Sequence, residues 1–354
     1  MENRNTHIVI MAGGVGSRLY PLSTPERPKQ FLDLTECGRT LIQQTYDRFR
    51  VVDPQAHFWV VTSERYKDLV AEQLPDIPSG QVLLEPVGRN TAPCIAYVSW
   101  KIALRDPSAR VVVCPSDAYI PDYEAFAGTI RPALRQLDSD GADSIITVGI
   151  EPTRPSADYG YIKARKGEGI VSVEAFKEKP SVEVARQYLR AGGYYWNAGI
   201  FMYRVGTMIS QLRKFAPGIA ALMDELQPSL YTEREACELG RLFPQCEKIS
   251  IDYAVMEKSD SIYVISADLG WSDLGSWTSA GSHIAEGPDG NRVVGNDVRL
   301  IDSEGCIVHV EECRKVVVKG LKDYVVACRG GNLLVCPAAD EQKIKDYAAD
   351  APSR

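Results

Sequence analysis

Gly13, Gly14 and Gly16 stand within four positions of one another and are followed by Ser17-Arg18 and then Lys29. Glycines let a chain turn sharply and bring main-chain N–H groups against a ligand with no Cβ between. Successive N–H groups in such a turn form an anion-binding concavity. Arg18 adds a planar fork of donors and Lys29 a mobile point charge. Three glycines alone suit an ordinary tight turn equally well; the two cations beside them favour a phosphate cradle. The cradle is neither common nucleotide loop. A P-loop needs Lys-Ser/Thr after its second glycine, whereas positions 18 and 19 hold Arg and Leu. A dinucleotide fingerprint begun at Gly14 would place its third glycine at Leu19.

Other polar groups sit directly after apolar runs. Glu85-Pro86-Val87-Gly88-Arg89-Asn90-Thr91 offers Asn90 or Thr91 as a helix cap. In Pro115-Ser116-Asp117-Ala118 the carboxylate could cap, turn, or bind magnesium, which favours one or two carboxylates plus substrate phosphate oxygens. Gly160, between Tyr159 and Tyr161, suggests close backbone approach or a bulge. Glu178-Lys179 as a lone pair is a solvated contact worth ~0–1 kcal/mol. Asn197 interrupts an apolar strand pattern, Ser250 is a plausible cap ahead of Asp252, and Asp273 lies in a tight loop walled by Trp271 and Trp277.

The run Gly-Gly-x-Gly-x-Arg-Leu-x-Pro-Leu-Ser, followed by Pro28-Lys29-Gln30-Phe31, resembles the opening of the sugar-nucleotide pyrophosphorylases, and the resemblance continues through Trp277. It implies a GT-A/Rossmann-like nucleotidyltransferase that joins GTP and α-D-mannose 1-phosphate into GDP-mannose and pyrophosphate. By the same resemblance Arg18, Lys29 and Asp117 are catalytic. Gly13, Gly14, Gly16, Ser17, Arg89, Asn90, Thr91 and Ser116 bind the nucleotide. Gly160, Glu178, Lys179 and Asn197 bind the sugar phosphate, with Asp252 a weaker candidate, and Asp117 and Asp273 hold Mg2+. The family's Pro-Ser-Asp-His reads Pro-Ser-Asp-Ala here, so Ala118 keeps the carboxylate and removes an imidazole. The alternatives are a related enzyme using another base or sugar phosphate, or a non-catalytic sugar-nucleotide sensor. The presence of Arg18, Lys29 and both aspartates speaks against the sensor.

The elements that must carry these residues follow from pattern. Apolar runs at His7–Met11, Phe58–Thr62, Val82–Glu85, Val111–Cys114 and Ile145–Ile150 read as strands, with helices at Leu41–Phe49, Tyr66–Leu74, Ala92–Leu104 and Tyr123–Leu137. Continuous Val/Ile runs alternating with helices predict a doubly wound, mostly parallel α/β sheet, whose ligands bind beyond the carboxyl ends of the strands. Residues 207–242 read as mostly helical. From about Gly287 short β-like runs separated by Gly305, Gly320 and Gly330-Gly331 predict a small all-β module of hairpins or stacked coils, without a repeat strong enough to name a solenoid. Glu341–Ala349 could close it as a helix. The expected division is a catalytic domain over 1–286 and this module over 287–354. Some family members continue into a cupin-type isomerase domain, for which the chain is too short.

With 354 residues, 45% hydrophobic and 25% charged, the composition is that of a globular protein of one large and one smaller domain. A net charge of −7 argues against a nucleic-acid partner. No apolar run reaches a membrane span and Met1–Thr6 is polar, so a cytoplasmic location and no membrane partner are expected. Nine cysteines with no Cys-x-x-Cys read as reduced core thiols, the cluster Cys306, Cys313, Cys328 and Cys336 included. A homodimer through the C-terminal module is a further expectation.

Overall fold

The computed structural model describes residues 5–139 and 143–349, so the polar opening expected at Met1–Thr6 lies, as far as Arg4, outside them. The chain divides into two compact units. The first comprises Met1–Gly13, Thr45–Ser116 and Ile120–Trp271; the second comprises Gly14–Gln44, Asp117–Tyr119 and Ser272–Arg354.

The first unit follows the predicted alternation closely. It runs β1 (Thr6–Ala12), α1 (Leu41–Val52, begun in the second unit), β2 (His57–Ser63), α2 (Lys67–Gln73), β3 (Val82–Glu85), α3 (Thr91–Arg105), β4 (Arg110–Pro115), α4 (Tyr123–Ser139) and β5 (Ile145–Ile150). Then come β6 (Tyr161–Ala164), β7 (Ile170–Lys177), α5 (Val182–Ala191), β8 (Tyr194–Arg204), α6 (Val205–Phe215), α7 (Pro217–Leu226), α8 (Glu235–Leu242) and β9 (Ile262–Ala267). The strands form one nine-stranded sheet ordered β3-β2-β1-β4-β8-β5-β9-β7-β6.

The sheet is more mixed than Val/Ile runs alone predict. β3, β2, β1 and β4 are mutually parallel, as are β5 and β9, but β8 lies antiparallel between β4 and β5. β6 and β7 add antiparallel pairs. The reversed β8 has a functional consequence. Its opening residues meet the carboxyl end of β5, with Asn197 opposite Gly149 and Trp196 opposite Ile150. Trp196 also pairs with Tyr161 at the start of β6. An antiparallel insertion therefore brings Asn197 and Gly160 to the end of the sheet where parallel strands present their ligand-binding loops. α3 is buried from Ala92 to Ile102 and packs against α6 and α7, an apolar-all-round helix of the kind found in interiors.

The second unit holds the glycine loop and the strand-rich C-terminal stretch. It contains α9 (Trp277–Gly281), β10 (Arg292–Val294), β11 (Val298–Ile301), β12 (Ile307–Val310), β13 (Val316–Lys319), β14 (Tyr324–Arg329), β15 (Asn332–Pro337) and α10 (Ile344–Ala349). β10, the one strand here that the sequence pattern missed, pairs with β12, which pairs with β14, all parallel; β15 turns back antiparallel on β14. β11 and β13 form a separate parallel pair. The chain therefore coils, adding a strand to each sheet in turn, and the stacked-coil alternative is the one realised. Ile307 aligns with Val325 and Val298 with Val316, the same sequence offset in both sheets. With so few turns of the coil, that repeat stays below what the eye picks out.

One core joins the ends of this unit. Leu19, Leu22, Leu32, Leu34 and Leu41 cluster with Leu274, Trp277, Ile307, Val325, Leu334 and Ile344. Trp277 is 1% exposed, and its indole N–H donates to the Tyr20 carbonyl at 3.2 Å. The tryptophan expected to wall a loop is a core residue that fixes the chain just past Arg18. All nine cysteines are free; Cys94, Cys114, Cys306 and Cys336 are buried as expected, while Cys313 and Cys328 are half-buried.

Candidate active site

In the second unit the glycine loop leaves β1 and turns through Gly14 and Gly16, both at positive φ. Gly16 needs glycine twice over: its φ is +68°, and a Cβ there would come within 2.9 Å of Lys29 Cβ. Ser17–Leu19 form a short 3-10 turn, and Pro28 leads into a second one over Lys29–Phe31 that is wholly buried. Gln30 Nε2 donates to the Gly14 carbonyl at 3.3 Å, and Ser23 Oγ donates to the Val15 carbonyl. The loop is thus pinned by side chains while Gly13, Gly14 and Gly16 stay exposed.

Lys29 is the hub. Only 6% of it is exposed, its Nζ lies 3.1 Å from Asp117 Oδ2, and it donates to the Asp273 carbonyl. Asp117 and Asp273, far apart in sequence, therefore meet at one ammonium group. The Asp273 carboxylate is oriented in turn: Oδ1 accepts from the Gly275 N–H at 3.1 Å and from Ser279 Oγ at 3.3 Å. Gly275 is the point where this loop nears Arg18, since a Cβ there would fall 3.3 Å from Arg18 Nη2 and against Asp273 Oδ2. Leu274 between them is at φ +44°, a left-handed residue in a buried loop, the sort of backbone held only where surrounding structure over-determines it.

The donor chemistry fits a hard divalent cation. Two carboxylates beside an exposed glycine turn match the sparse protein ligation magnesium accepts when phosphate oxygens complete its shell. Among the described residues no group of three or more His, Cys, Asp or Glu is placed to hold a metal by itself.

In the first unit the four predicted sugar-phosphate residues come together. Glu178 is 9% exposed and its Oε1 lies 2.8 Å from Lys179 Nζ. Gly160 faces the same carboxylate, and a Cβ on it would stand 2.5 Å from Glu178 Oε2 and 3.4 Å from Asn197 Cβ. The Asn197 N–H donates to the Gly160 carbonyl at 2.9 Å. Asn197 Oδ1 accepts from the Gly199 N–H at 3.0 Å and from Thr147 Oγ1 at 3.3 Å. With its oxygen so occupied, Asn197 turns Nδ2 to Asp252 Oδ1 at 3.1 Å. Asp252 opens a single π-helical turn, Asp252–Met256, a form concentrated at functional sites.

Sequence reasoning missed Glu257 here. Its Oε1 accepts from the Glu178 N–H at 2.9 Å, and it closes the motif that Asp252 opens, the one signal that could have found it. Burial, with the Glu178 charge adding to it, pushes the Asp252 carboxyl up to about 7. Burial opposes the charge on Lys179, but the hydrogen bond and charge of Glu178 outweigh it and hold the lysine above its usual range.

Aromatic rings border Asn197. Tyr159 lies edge-on to Trp196 and Trp271, with centroids 4.8 and 5.3 Å away. The buried indole N–H groups of both tryptophans have no hydrogen-bond partner among the described residues.

The remaining candidates have structural roles as well. Asn90, at φ +69°, accepts from the Thr91 N–H at 2.8 Å and caps α3 as the sequence suggested. Thr91 Oγ1 accepts from the Ile251 N–H at 2.8 Å, so this motif touches the segment that leads into Asp252. Arg89 Nη2 donates to the Pro244 carbonyl. Ser116 Oγ is buried without a partner among the described residues, while the Ser116 carbonyl accepts from Thr45 Oγ1 at 3.3 Å. At the end of β3, burial pushes the Glu85 carboxyl up to about 7, and Oε1 has no hydrogen-bond partner among the described residues. Ala118 is buried, filling with a methyl group the position where the family motif carries a histidine.

Each cluster has donor chemistry suited to a phosphorylated ligand, and comparison with known proteins defines the class. The family model described as nucleotidyl transferase matches residues 7–285; the chain belongs to that family and is a nucleotidyltransferase. Particular relatives narrow the class. The chain is 36% identical over 359 residues to the mannose-1-phosphate guanylyltransferase of Escherichia coli strain K12, covering 98% of this chain and 73% of the relative. It is 36% identical over 350 residues to the mannose-1-phosphate guanylyltransferase of Salmonella montevideo, covering 95% and 72%. A crystal structure from Thermus thermophilus, described as a mannose-1-phosphate geranyltransferase, superposes with a TM-score of 0.85 at 30% identity over 98% of both chains. The family resemblance and the fold class read from the sequence are borne out.

Proposed function

We infer that this chain transfers GMP from GTP to α-D-mannose 1-phosphate, giving GDP-mannose and pyrophosphate. Phosphoryl and nucleotidyl transfers ask little covalent work of a protein; positioning and charge stabilisation supply most of the barrier reduction. A phosphate oxygen of mannose 1-phosphate attacks the α-phosphorus in line, a new P–O bond forms, and the bond to the β-phosphate oxygen breaks. Gly13, Gly14, Gly16 and Ser17 cradle the nucleotide phosphates with main-chain donors, and Arg89, Asn90, Thr91 and Ser116 complete the nucleotide side. Arg18 holds the departing pyrophosphate, and Lys29 meets charge developing on the α-phosphate. Glu178 accepts from sugar hydroxyls, Lys179 faces the sugar phosphate, and Asn197 and Gly160 shape the pocket for the ring.

Asp117 and Asp273 would hold Mg2+, which when bound neutralises charge on the phosphates. Residues 1–286 form the catalytic part of this reading, with 287–354 as its strand-rich module. The cytoplasm as location and a homodimer as assembly belong to the same reading; light scattering of the full chain tests the second. Among the described residues no helix is long and apolar enough to cross a membrane.

The observation that carries the reading is the meeting of Asp117 and Asp273 at Lys29. Turnover with four nucleoside triphosphates against several hexose 1-phosphates tests it. Preference for GTP and mannose 1-phosphate is the expected result, and equal turnover with another pair would replace base or sugar.

A further inference from the structure

We propose that Gln342, near the chain's C-terminus, is a positioning residue for the transfer reaction and aims the Arg18 guanidinium. The proposal rests on the role just given to Arg18. Arg18 Nη1 donates to Gln342 Oε1 at 3.1 Å, while its Nη2 end faces Gly275 in the Asp273 loop. The guanidinium is thereby held between a neutral amide oxygen and the loop that carries a proposed metal ligand.

The segment bearing Gln342 is built to stay in place. Its 3-10 run Ala338–Lys343 begins with the Ala338 N–H bonded to the Asp323 carbonyl at 2.8 Å. Next to Gln342, Glu341 Oε2 accepts from the Thr278 N–H at 2.8 Å, at the start of α9. Ile344 is fully buried in the cluster that contains Leu19, the neighbour of Arg18. The segment thus touches the chain at Arg18 and at Thr278, the start of the helix that follows the Asp273 loop.

The choice of an amide is chemically specific. An arginine side chain has many rotamers, and fixing it before substrate arrives removes part of the ordering cost from the reaction. A carboxylate at position 342 would fix it too, but would neutralise the charge and compete with pyrophosphate for the guanidinium. Glutamine orders the fork without adding a negative charge of its own.

The test is steady-state kinetics with GTP and mannose 1-phosphate on Gln342→Ala, Gln342→Glu and Arg18→Ala, and on the Arg18→Ala/Gln342→Ala double variant, with Tm measured for each. Gln342→Ala is expected to lower kcat about 3–10-fold, the scale of one net hydrogen bond, with KM for mannose 1-phosphate and Tm unchanged. Gln342→Glu is expected to raise KM for pyrophosphate in the reverse reaction. In the Arg18→Ala background, Gln342→Ala should cause no further loss. Wild-type kinetics in Gln342→Ala, or the same fractional loss with and without Arg18, would overturn the positioning role while leaving Arg18 catalytic. Wild-type turnover in Arg18→Ala would overturn both.

Discussion

Lys29 Nζ lies 3.1 Å from Asp117 Oδ2 and also donates to the main-chain carbonyl of Asp273, so one buried ammonium ties together two acidic residues from distant parts of the chain. Any phosphate bound at the glycine turn would find the cation and both carboxylates already ordered, the preorganisation on which electrostatic catalysis depends.

Removing either cation should slow the chemistry. Arg18→Ala or Lys29→Ala is expected to reduce kcat by ~10²–10³, the scale for losing one preorganised charge stabiliser. Rapid-quench measurement of GDP-mannose formation reads this directly. Far-ultraviolet circular dichroism separates it from misfolding, a needed control for Lys29, whose loss would leave Asp117 without its partner.

Asp273→Asn keeps the hydrogen-bonding shape that Gly275 and Ser279 grip but removes a charge. Magnesium titration of activity should shift to higher concentration in this variant, with Tm close to wild type. An unshifted titration would take Asp273 out of the metal assignment.

Gly160→Ala should act through Glu178. The new methyl group would stand 2.5 Å from Glu178 Oε2 and must displace it. KM for mannose 1-phosphate is expected to rise about tenfold, the cost of one misplaced hydrogen-bonding group, with KM for GTP unchanged. A rise in the GTP constant instead would move these residues to the nucleotide side.

Stability should fall as pH rises through neutrality. The carboxyls of Asp252 and Glu85 are both pushed up to about 7 by burial, Asp252 further by Glu178. Groups whose folded pKa exceeds the unfolded value bind protons more tightly when folded. Their contribution is fully present below pH ~4 and is lost between there and about 7. Thermal melts should show a lower Tm at pH 8 than at pH 6, and Asp252→Asn should flatten that slope by about one pH unit of linkage, ~1.4 kcal/mol over this window. An identical slope in the variant would contradict the raised carboxyl.

Much of this was legible in the sequence. Strands β1 to β5 and the helices between them follow from apolar runs and their spacing, because β1, β2, β4 and β5 are buried on both faces and write their burial as continuous runs. The antiparallel β8 was legible as a strand but not as a neighbour of both β4 and β5, since pairing across long sequence separation leaves no local trace. The same limit hid the approach of Asp273 to Lys29; the family resemblance paired Asp273 with Asp117 and did not name the lysine. Glu257 escaped because a half-buried glutamate on an ordinary-looking helical turn differs in no local way from a surface one. Trp277 shows the converse: an aromatic beside glycines reads as a site wall, whereas its indole packs inward and bonds Tyr20.

The most direct test of the central claim is product analysis after mixing the full chain with GTP, mannose 1-phosphate and magnesium, run beside Lys29→Ala. GDP-mannose and pyrophosphate should appear in equal amounts with the native chain, and at least about a hundredfold more slowly with the variant. Equal rates from the two proteins, or pyrophosphate released without GDP-mannose, would contradict the account.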